Sequence, residues 1–539
     1  MSIFEKHSSS KLTVDDSCQL KAVIINSEPS NGHTEYIIRV HRGFESENAW
    51  HVHRRYNDFH ALHKELSVAG VSLPLPPKKM IGNMDRNFIL QRLDGLQSYL
   101  NTVLSNAILA NQKAVKIFLE PHTYSSVKEL GVTQMSLKLR GESDLKVVKQ
   151  LPHLGRRLRK EFYLVQSNLS KEEFILTWTP FGPDKYLDQR KISTIMKSFC
   201  GLQHANIAPP TKAGVGVDGA WVLRPSRSSG TLLDMVYDVK APLTQSAIKK
   251  YANFGLRRPM DSNEIIHIVS QILEALMFLH SKGTFHGHLH LGNILYEGGT
   301  VHLVDYENQI FGVPSYYREQ LIKSRQIKSI CDVDVYCLGL IIYELLYGKE
   351  YDVCDQKELS CCPTTLRPLL EAILVEDGIK NGLPEITHLL NLEIFKYRPQ
   401  ALPARLKMSD PSRQDVALNG HKTFERLKVD HMKFRKHNRT SKLNEMLRED
   451  NGKFVLLYDT KKACSKSSSC SDSDHPRSEV SDGVESSRTP TPSVISESVA
   501  VSEEVPPTVP AVVDGRSALL GAISGFDKKN LKKVTNSSR

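Results

Sequence analysis

The chain has 539 residues, which is long enough for several domains that each bury a core of their own. It carries 71 Lys and Arg residues against 60 Asp and Glu, a formal net charge of +11 that suits anionic partners without choosing among them. The nine cysteines include no C-x-x-C pair and no zinc-type spacing, which favours reduced intracellular thiols over disulfides or a structural metal site. The N-terminus has no apolar run, and the most apolar stretch, from Cys337, is short and interrupted by Glu344. This pattern predicts neither a signal peptide nor a membrane-spanning helix.

The first part of the chain predicts a small antiparallel sheet followed by helices. Tyr36, Ile38 and Val40 alternate with the other side chains of their segment, and the residues from Ala49 continue in the same β-favouring composition. From Tyr56 the spacing becomes helical and ends near Gly70, and a second helix is predicted over roughly 85–104. Between the helices, the prolines of LPLPPKK at 73–79 predict a rigid, extended turn that carries Lys78 and Lys79.

Three segments together resemble a phox-homology (PX) domain over about residues 15–125. They are RRYNDF at 54–59, the PPK turn, and R-x-x-G-L-x-x-Y at 92–99. The resemblance implies a phosphoinositide site, with phosphatidylinositol 3-phosphate as the expected lipid. It implies that Arg55 binds the 3-phosphate, Tyr56 stacks on the inositol, Lys78 contacts the 1-phosphate and Arg92 holds ring hydroxyls. Guanidinium groups suit this task because they bind phosphate in a bidentate manner.

Two alternatives stay open in this domain. The basic residues could be ordinary surface charges of an interaction domain. Met80 and Ile81, which follow the lysines, could form an apolar tip that enters the bilayer interface, or they could be buried.

Residues 150–398 resemble a bilobal protein kinase fold. An apolar helical face over 264–280 leads into the segment 286–296, where a kinase has its catalytic loop. VHLVDYE from Val301 occupies the place of the kinase D-F-G, and DVYCLGLIIYELLYG from Asp334 resembles the central helix of the lower lobe. These landmarks occur in the kinase order, so the sequence predicts an α+β multidomain protein with a PX domain, a kinase-like domain and a mostly disordered tail.

The catalytic loop itself is degenerate. In the pattern H-R-D-L-x-x-x-N the Asp orients the substrate hydroxyl and the Asn binds magnesium. The sequence HGHLHLGNILY places His288 at the Asp and Gly287 at the Arg, and it keeps Asn293. An imidazole lacks the fixed negative charge of the Asp, so phosphoryl transfer is predicted to be impaired or absent.

The upper lobe lacks the parts that grip nucleotide phosphates. HLGRRLRKEFYLV offers only Gly155 where several glycines are needed, and its bulky cations include Lys160. The strand that begins at Glu172 has no lysine at the expected place, and Lys185 in the following turn is the one substitute considered. Losing several elements together predicts a pseudokinase that acts as a protein-binding platform.

The metal and cofactor question stays open in the sequence. Asn293 and Asp305 are usable magnesium ligands, so weak binding of ATP with magnesium is an alternative to local hydrogen bonding by the same side chains. His288 and His290 lack third and fourth ligands at a suitable spacing, and no metal site is predicted from them. No cofactor is therefore assigned.

The tail divides into three predicted segments. Residues 399–463 form a basic, partly helical linker in which a helix over 422–450 is expected to be solvated, with acidic lipid or nucleic acid as the alternatives. Residues 464–513 are rich in Ser, Thr and Pro and are predicted to be disordered. Residues 514–535 resemble a WASP-homology-2 actin-binding motif, in which a helix that folds on binding is followed by a basic extension; the matching positions are Leu519, Leu520, Ile523, Phe526, Leu531, Lys532 and Lys533.

The order of these modules resembles the PX-domain serine/threonine-kinase-like protein family over nearly the whole chain. The resemblance implies a cytoplasmic protein on endosomal or plasma membranes, with actin and membrane-protein cargo or the sodium/potassium pump as partners and no nucleic acid. We therefore expect a peripheral membrane scaffold in receptor trafficking. The alternatives are an active atypical Ser/Thr kinase and a sorting-nexin-like lipid adaptor in which the kinase fold is a spacer.

Overall fold

The structure is a computed structural model of the chain. It describes the ranges 18–44, 48–78, 85–124, 144–151, 160–227, 230–240, 243–253, 257–351, 361–375, 382–396 and 403–464, together with Leu154 and Leu359. In the last range, the side chains of residue 445 and of residues 447–464 are not described.

The N-terminal domain begins with a three-stranded antiparallel meander. Its strands are β1 (Leu20–Ser30), β2 (His33–Arg42) and β3 (Trp50–Arg55), in the order β1-β2-β3. The alternating residues Tyr36, Ile38 and Val40 are buried, as the pattern predicts. The sheet is covered on that face by helices, which confirms the predicted sheet-then-helix order.

The helices of this domain are α1 (Tyr56–Leu66), α2 (Arg86–Ser105), α3 (Ala107–Ala110) and α4 (Lys113–Leu119). A short 3-10 turn over Ser67–Ala69 extends α1 and ends at Gly70, whose φ of +66° is in the left-handed region that glycine favours. Asp85 caps α2 by accepting a hydrogen bond from the Phe88 amide. Gln97 of α2 bonds to the backbone of Ala22 and Ile24, which fixes the helix on β1.

A close contact joins the proline turn to α2. A Cβ atom placed on Gly95 would lie 2.5 Å from Cγ of Pro76. Only glycine leaves room for the proline ring at this distance, so Gly95 sets how near the PPK turn lies to the helix that carries Arg92.

The upper lobe of the kinase-like domain is a five-stranded antiparallel sheet with one long helix. Its strands are β4 (Leu145–Gln150), β5 (Glu161–Ser167), β6 (Glu173–Pro180), β7 (Lys212–Val215) and β8 (Gly219–Pro225), in the order β4-β5-β6-β8-β7. Helix α5 (Gln189–Cys200) connects β6 to β7 and is capped by Asp188. Its buried face includes Phe199, whose ring packs edge to face on Tyr306 with centroids 5.0 Å apart.

The lower lobe is mainly helical. Its elements are α6 (Leu232–Val236), α7 (Ala247–Tyr251), α8 (Ser262–Ser281), β9 (Ile294–Glu297), β10 (Thr300–Leu303), α9 (Arg318–Lys323), α10 (Ile330–Tyr347), α11 (Arg367–Leu374) and α12 (Ile386–Leu390). Helix α10 is buried along most of its length, and Gly339 lets it lie close to Ile373 of α11. Among the described residues, α8 is the one helix long and apolar enough to cross a bilayer, and its buried face makes it a core helix of this lobe.

A long helix, α13 (Asp410–Cys464), follows the kinase-like lobes. The expectation of a solvated helix over 422–450 is wrong at its start, because Phe424 and Leu427 are buried; the preceding Val416 is buried as well. The amide Nδ2 of Asn419 donates to the Gln309 carbonyl at 3.0 Å. The sequence signal for this docking is weak, because Asn419 and Gly420 interrupt the helical spacing between Val416 and Phe424.

The PX domain and the lower lobe also touch directly. The side-chain amide of the buried Asn106 donates a 2.8 Å hydrogen bond to the carbonyl of Ala252, just after α7. Helix α7 therefore lies between the PX domain and the interior of the kinase-like domain.

Candidate functional site

The loop in the catalytic-loop position is tied to helix α10 by one carboxylate. Asp334 accepts hydrogen bonds from the backbone N–H groups of His286 at 2.8 Å and Gly287 at 2.7 Å, and its Oδ2 lies 2.9 Å from Nε2 of His280. Gly287 has a φ of +71°, in the left-handed region, so glycine suits the turn at which these amides converge. The loop is thus anchored to α10 although it has no aspartate at the catalytic position.

His286 is an internal strut of the loop. Its Nδ1 accepts a hydrogen bond from the His288 amide at 3.2 Å, so the proton lies on Nε2, which donates to the Val304 carbonyl at 3.1 Å. Complete burial lowers the pKa of His286, which keeps the ring neutral in this arrangement.

His288 and Asn293 are occupied by the loop itself. His288 is 2% exposed, and its carbonyl accepts a 2.9 Å hydrogen bond from Nδ2 of Asn293. His290 uses Nδ1 to accept from the Gly292 amide, and its ring packs on Tyr316. Within the part of the chain that the structure describes, no three His, Cys, Asp or Glu residues are arranged to hold a metal.

Asp305, at the position of the D-F-G aspartate, is paired with cations. Its Oδ2 lies 2.5 Å from Nζ of Lys160, and its Oδ1 lies 3.7 Å from Arg224. Burial opposes ionisation of Asp305, but the charges of Lys160 and Arg224 outweigh burial and lower its pKa below the ordinary range. The carboxylate is therefore ionised and neutralised by protein groups in the place where a kinase holds magnesium.

Glu307, which replaces the glycine of D-F-G, is the second acid of this network. It receives two hydrogen bonds from the Arg224 guanidinium, at 3.0 and 2.7 Å, and is 1% exposed. Burial opposes the charge on Arg224, but Glu307 and Asp305 outweigh it and raise the pKa of the guanidinium. Arg224 lies at the end of β8 and Glu307 follows Asp305, so this bidentate pair joins the two lobes.

A partly open cleft of about 180 Å³ lies between the sheet and the catalytic-loop segment, and its lining includes Lys160, Arg224, Asn293 and Asp305. Leu154, Phe162, Ile175 and Val304 contribute apolar walls. Among the described residues that line the cleft, each cation has a carboxylate within 4 Å; the pairs are Lys160 with Asp305, Arg224 with Glu307, Arg227 with Glu297, and Lys250 with Asp234. The cleft is thus mostly apolar, with its charges balanced in pairs.

The fourth of these pairs belongs to a buried cluster that connects the cleft to α7. Nζ of Lys250 lies 2.9 Å from Oδ1 of Asp234 and 2.9 Å from the Tyr251 hydroxyl, which donates to the same carboxylate at 2.5 Å. Burial opposes the charge on Asp234, but Lys250 and the hydrogen bonds of Thr231 lower its pKa below the usual range.

Two residues of the site were missed from the sequence. In the sequence, Lys160 stands out only as a bulky residue in a segment with too few glycines, and Arg224 does not stand out. Lys160 directly precedes β5 but is one of four cations between 156 and 160, so the sequence did not single it out, and nothing local marks Arg224. Lys185 is not the substitute: its Nζ lies 4.7 Å from the centre of the Phe181 ring, and it is absent from the cleft lining. Gly155 and the arginines beside it lie outside the described residues.

In the PX domain, Tyr56 and Arg92 meet at the proline turn. The Tyr56 hydroxyl donates to the Pro76 carbonyl at 2.5 Å, and Nη2 of Arg92 donates to the Pro77 carbonyl at 3.3 Å. The guanidinium of Arg92 lies over the Tyr56 ring, 4.3 Å from its centroid. Arg92 is only 6% exposed, so its position is set by packing of the turn and α2.

Arg55 directly precedes α1, and Lys78 is the last described residue of the proline turn. Arg55 is the residue before Tyr56; its side chain is 53% exposed, and its Nε lies 3.6 Å from Asp58. Lys78 directly follows Pro77 and is exposed. The structure thus attaches all four residues to one turn and the two helices beside it, and their lipid roles remain predictions. Lys79, Met80 and Ile81 lie outside the described residues.

The predicted actin-binding positions also lie outside the described residues; they are Leu519, Leu520, Ile523, Phe526, Leu531, Lys532 and Lys533.

Comparison with known proteins matches both domains. Residues 42–122 match the PX domain model, and residues 244–359 match the protein kinase domain model. The chain is 38% identical over 418 residues to the PX domain-containing protein kinase-like protein of Mus musculus, which covers 76% of this chain and 72% of the mouse protein. Sorting nexin-13 of Mus musculus is 36% identical over 132 residues, 22% of this chain and 14% of that protein. The "Probable inactive serine/threonine-protein kinase slob1" of Dictyostelium discoideum is 27% identical over 232 residues, 38% of this chain and 39% of that protein.

Proposed function

Because the chain belongs to the family of PX domain-containing protein kinase-like proteins, we propose that it is a peripheral membrane scaffold. In this proposal the PX domain recruits the chain to phosphoinositide, the kinase fold presents a protein-binding surface without transferring phosphate, and the C-terminus binds actin.

The observation that carries the pseudokinase part is the pairing of Asp305 with Lys160 and Arg224. A magnesium ion at Asp305 would have to displace two cations that already neutralise the carboxylate. Nδ2 of Asn293, the second magnesium ligand of kinases, donates to the His288 carbonyl, which fixes the side chain without using its Oδ1. Within the described lining of the cleft the cations are already paired, which lowers its attraction for a triphosphate. His288 supplies no fixed negative charge for the substrate hydroxyl.

A thermal-shift measurement with ATP, with and without magnesium, tests this part. We expect no magnesium-dependent stabilisation of the full chain. In a parallel assay with radiolabelled ATP, we expect no phosphate transfer above the background of an Asp305→Ala variant. Robust transfer that is lost in this variant would establish the active atypical kinase and overturn the scaffold proposal.

The PX proposal rests on the convergence of Tyr56 and Arg92 at the proline turn, with Arg55 and Lys78 beside them. A flat ring, a guanidinium and a terminal ammonium are the groups that a phosphorylated inositol needs. We expect Arg55→Ala to abolish binding to vesicles that contain phosphatidylinositol 3-phosphate in phosphatidylcholine. Lys64→Ala, which changes an exposed cation at the far end of α1, is the matched control and should bind normally.

Unchanged binding of Arg55→Ala would remove the assigned lipid site. Vesicles that carry other phosphoinositide isomers identify the preferred lipid in the same assay.

The actin proposal rests on the sequence pattern of residues 516–534. Leu519, Leu520, Ile523 and Phe526 share one face of a predicted helix, and a basic extension follows. Leu520→Asp should eliminate capture of monomeric actin, whereas Gly521→Asp, on the opposite side of that helix, should retain it. A wild-type C-terminal peptide that fails to capture actin contradicts the proposal.

The place of action that fits these parts is the cytoplasmic face of endosomal or plasma membranes. The similarity of 132 residues of this chain to sorting nexin-13 supports a trafficking role. Family resemblance suggests membrane-protein cargo or the sodium/potassium pump as client. The alternative is a lipid adaptor in which the kinase fold is a spacer. In that case, deleting the kinase-like domain leaves lipid binding and client binding intact, and only deletion of the PX domain removes the clients.

A further inference from the structure

Helix α13 has two different faces. Phe424 and Leu427 are buried against the kinase-like domain, and Phe434 packs on Phe44 of the PX domain with ring centroids 5.6 Å apart. The carboxylate of Asp430 bonds to Arg318 at 2.6 Å. This face attaches the helix to the rest of the molecule.

The opposite face carries large apolar side chains that are exposed. Val429 is 45% exposed, Met432 61%, Leu443 57% and Met446 61%. At 3.6 residues per turn, these four positions fall within an arc of about 100° around the helix, and the run from Val429 to Met446 is about 25 Å long. They form two pairs on one side of the helix, Val429 with Met432 and Leu443 with Met446, about 16 Å apart, with Lys436 and Arg439 between them on the same side. We call this side of the helix the apolar stripe.

Exposed cations surround the apolar stripe. Between residues 428 and 443 the chain has six Lys and Arg and a single acid, Asp430, which pairs with Arg318 on the buried side. The six are Lys428, Lys433, Arg435, Lys436, Arg439 and Lys442, and all are exposed. Lys428 also pairs with Glu425 at 2.8 Å on the preceding turn.

The charge decides which partner fits the stripe. A second copy of the helix would bring two sets of six cations together, and this repulsion opposes pairing. Nucleic acid would satisfy the cations but has no use for four exposed apolar side chains on one side of the helix. An anionic bilayer satisfies both, because the apolar side chains enter the interface while the long basic side chains reach the headgroups.

We propose that the exposed face of α13 is a second membrane-binding surface, which recognises anionic lipid through the apolar stripe and its six cations. It acts independently of the phosphoinositide site. Phe44 follows β2, at the end of the β2–β3 hairpin away from Arg55, so α13 meets the PX domain at a different place from the lipid turn.

The test uses the full chain with Arg55→Ala, so that the proposed phosphoinositide site does not contribute. Cosedimentation is measured with vesicles of phosphatidylcholine alone and of phosphatidylcholine with phosphatidylserine, without phosphoinositide. We expect binding to the anionic vesicles only. Adding Met432→Glu and Leu443→Glu should weaken this binding by about tenfold or more, because it removes apolar contact and adds repulsion.

The matched control adds Leu169→Glu and Val217→Glu, which change two exposed apolar residues of the upper lobe, 85% and 68% exposed, and should leave binding unchanged. Circular dichroism and thermal melting establish that each variant is folded. Binding that survives Met432→Glu with Leu443→Glu but falls with Lys436→Glu and Arg439→Glu would indicate a purely electrostatic surface, of the kind nucleic acid uses, and would overturn the proposal.

Two other results would also overturn it. One is that the Arg55→Ala chain fails to bind phosphatidylserine vesicles. The other is a dimer in light scattering that Met432→Glu with Leu443→Glu converts to a monomer, which would make the stripe a contact between copies. Binding of the wild-type chain to phosphatidylinositol 3-phosphate in phosphatidylcholine is measured separately, so failure of either lipid site is distinguished from failure of the other.

Discussion

At the scale of single residues, the cleft is organised by ion pairs that exclude the usual kinase chemistry. Lys160 is nearly buried and lies 2.5 Å from Asp305, while Arg224 divides its charge between Asp305 and Glu307. Buried pairs of this kind cost desolvation energy and are disrupted strongly when one partner is removed. Asp305 and Glu307 therefore stabilise the contact between the two lobes.

The first prediction concerns Lys160. Lys160→Met should lower the free energy of unfolding by roughly 3 kcal/mol, at the lower end of the range for breaking a buried pair, because Arg224 still faces Asp305. Adding Asp305→Asn should restore part of the lost free energy, because it removes the carboxylate that has lost its lysine. Asparagine tolerates the left-handed backbone at this position. Urea denaturation measures both. Lys149→Met, an exposed lysine of β4, is the control, and equal losses for it and Lys160→Met would contradict the assigned pair.

The second prediction concerns the pH dependence of His280. Burial opposes its protonation, but the hydrogen bond and charge of Asp334 dominate and raise the pKa of His280 from 6.5 to about 10. A raised folded-state pKa gives stability that is fully present below pH 6.5 and is lost as the pH rises towards 10.

His280→Gln should therefore be most destabilising below pH 6.5. Its deficit relative to the wild type should shrink by up to about 1.4 kcal/mol per pH unit above that value. Chemical denaturation at a series of pH values measures the difference. A deficit that does not change with pH would show that the ring acts by packing alone.

At the scale of elements, short loops are positioned by the rigid helices behind them. The catalytic-loop segment is anchored to α10 by Asp334, and the proline turn is anchored to α2 by Gly95 and Arg92. In both cases a glycine is essential because the backbone approaches its neighbour closely or turns with a positive φ.

The third prediction tests the second anchor. Gly95→Ala places a methyl group 2.5 Å from the ring of Pro76, so the proline turn must move away from α2. Helix propensity favours alanine by about 1 kcal/mol, so the helix itself is not weakened. We expect affinity for phosphatidylinositol 3-phosphate vesicles to fall about tenfold, equivalent to about 1.4 kcal/mol, with no loss of thermal stability.

Ser98→Ala, an exposed change on the same helix, should bind as the wild type does. Normal binding by Gly95→Ala would show that the spacing between the turn and α2 does not set the lipid site.

At the scale of the whole molecule, the PX domain and the kinase-like domain are connected through α7 and α13. The side-chain oxygen of Asn106 caps α3, and its Nδ2 donates to the Ala252 carbonyl, just after α7. Helix α7 also carries Lys250, which pairs with Asp234 at the cleft. Phe44 adds the contact with α13.

The fourth prediction tests this connection. Asn106→Asp keeps the acceptor that caps α3 but places a carboxylate against the Ala252 carbonyl. Because a buried donor is lost and repulsion is added, we expect a loss of about 1–3 kcal/mol. Scanning calorimetry of the full chain should show the PX transition separating from that of the kinase-like domain. Asn111→Asp, whose amide bonds only within α3, is the control. A variant that melts like the wild type would contradict a coupled interface.

The sequence by itself determined the fold class, the order of the PX and kinase-like modules and several of their elements, among them β2, α1, α2, α8 and α10, because these depend on periodicity and on motifs within short windows. Alternation at Tyr36 to Val40 was sufficient for β2, and the degenerate loop at His288 was visible without any coordinates. The tertiary structure alone decided which cations neutralise Asp305, because Lys160 and Arg224 are 64 positions apart and pair with acids more than 80 positions away. It also decided that α13 is docked, since burial of Phe424 and Leu427 requires a surface built from distant segments. Side-chain pairing across a fold depends on long-range geometry, which local composition does not contain.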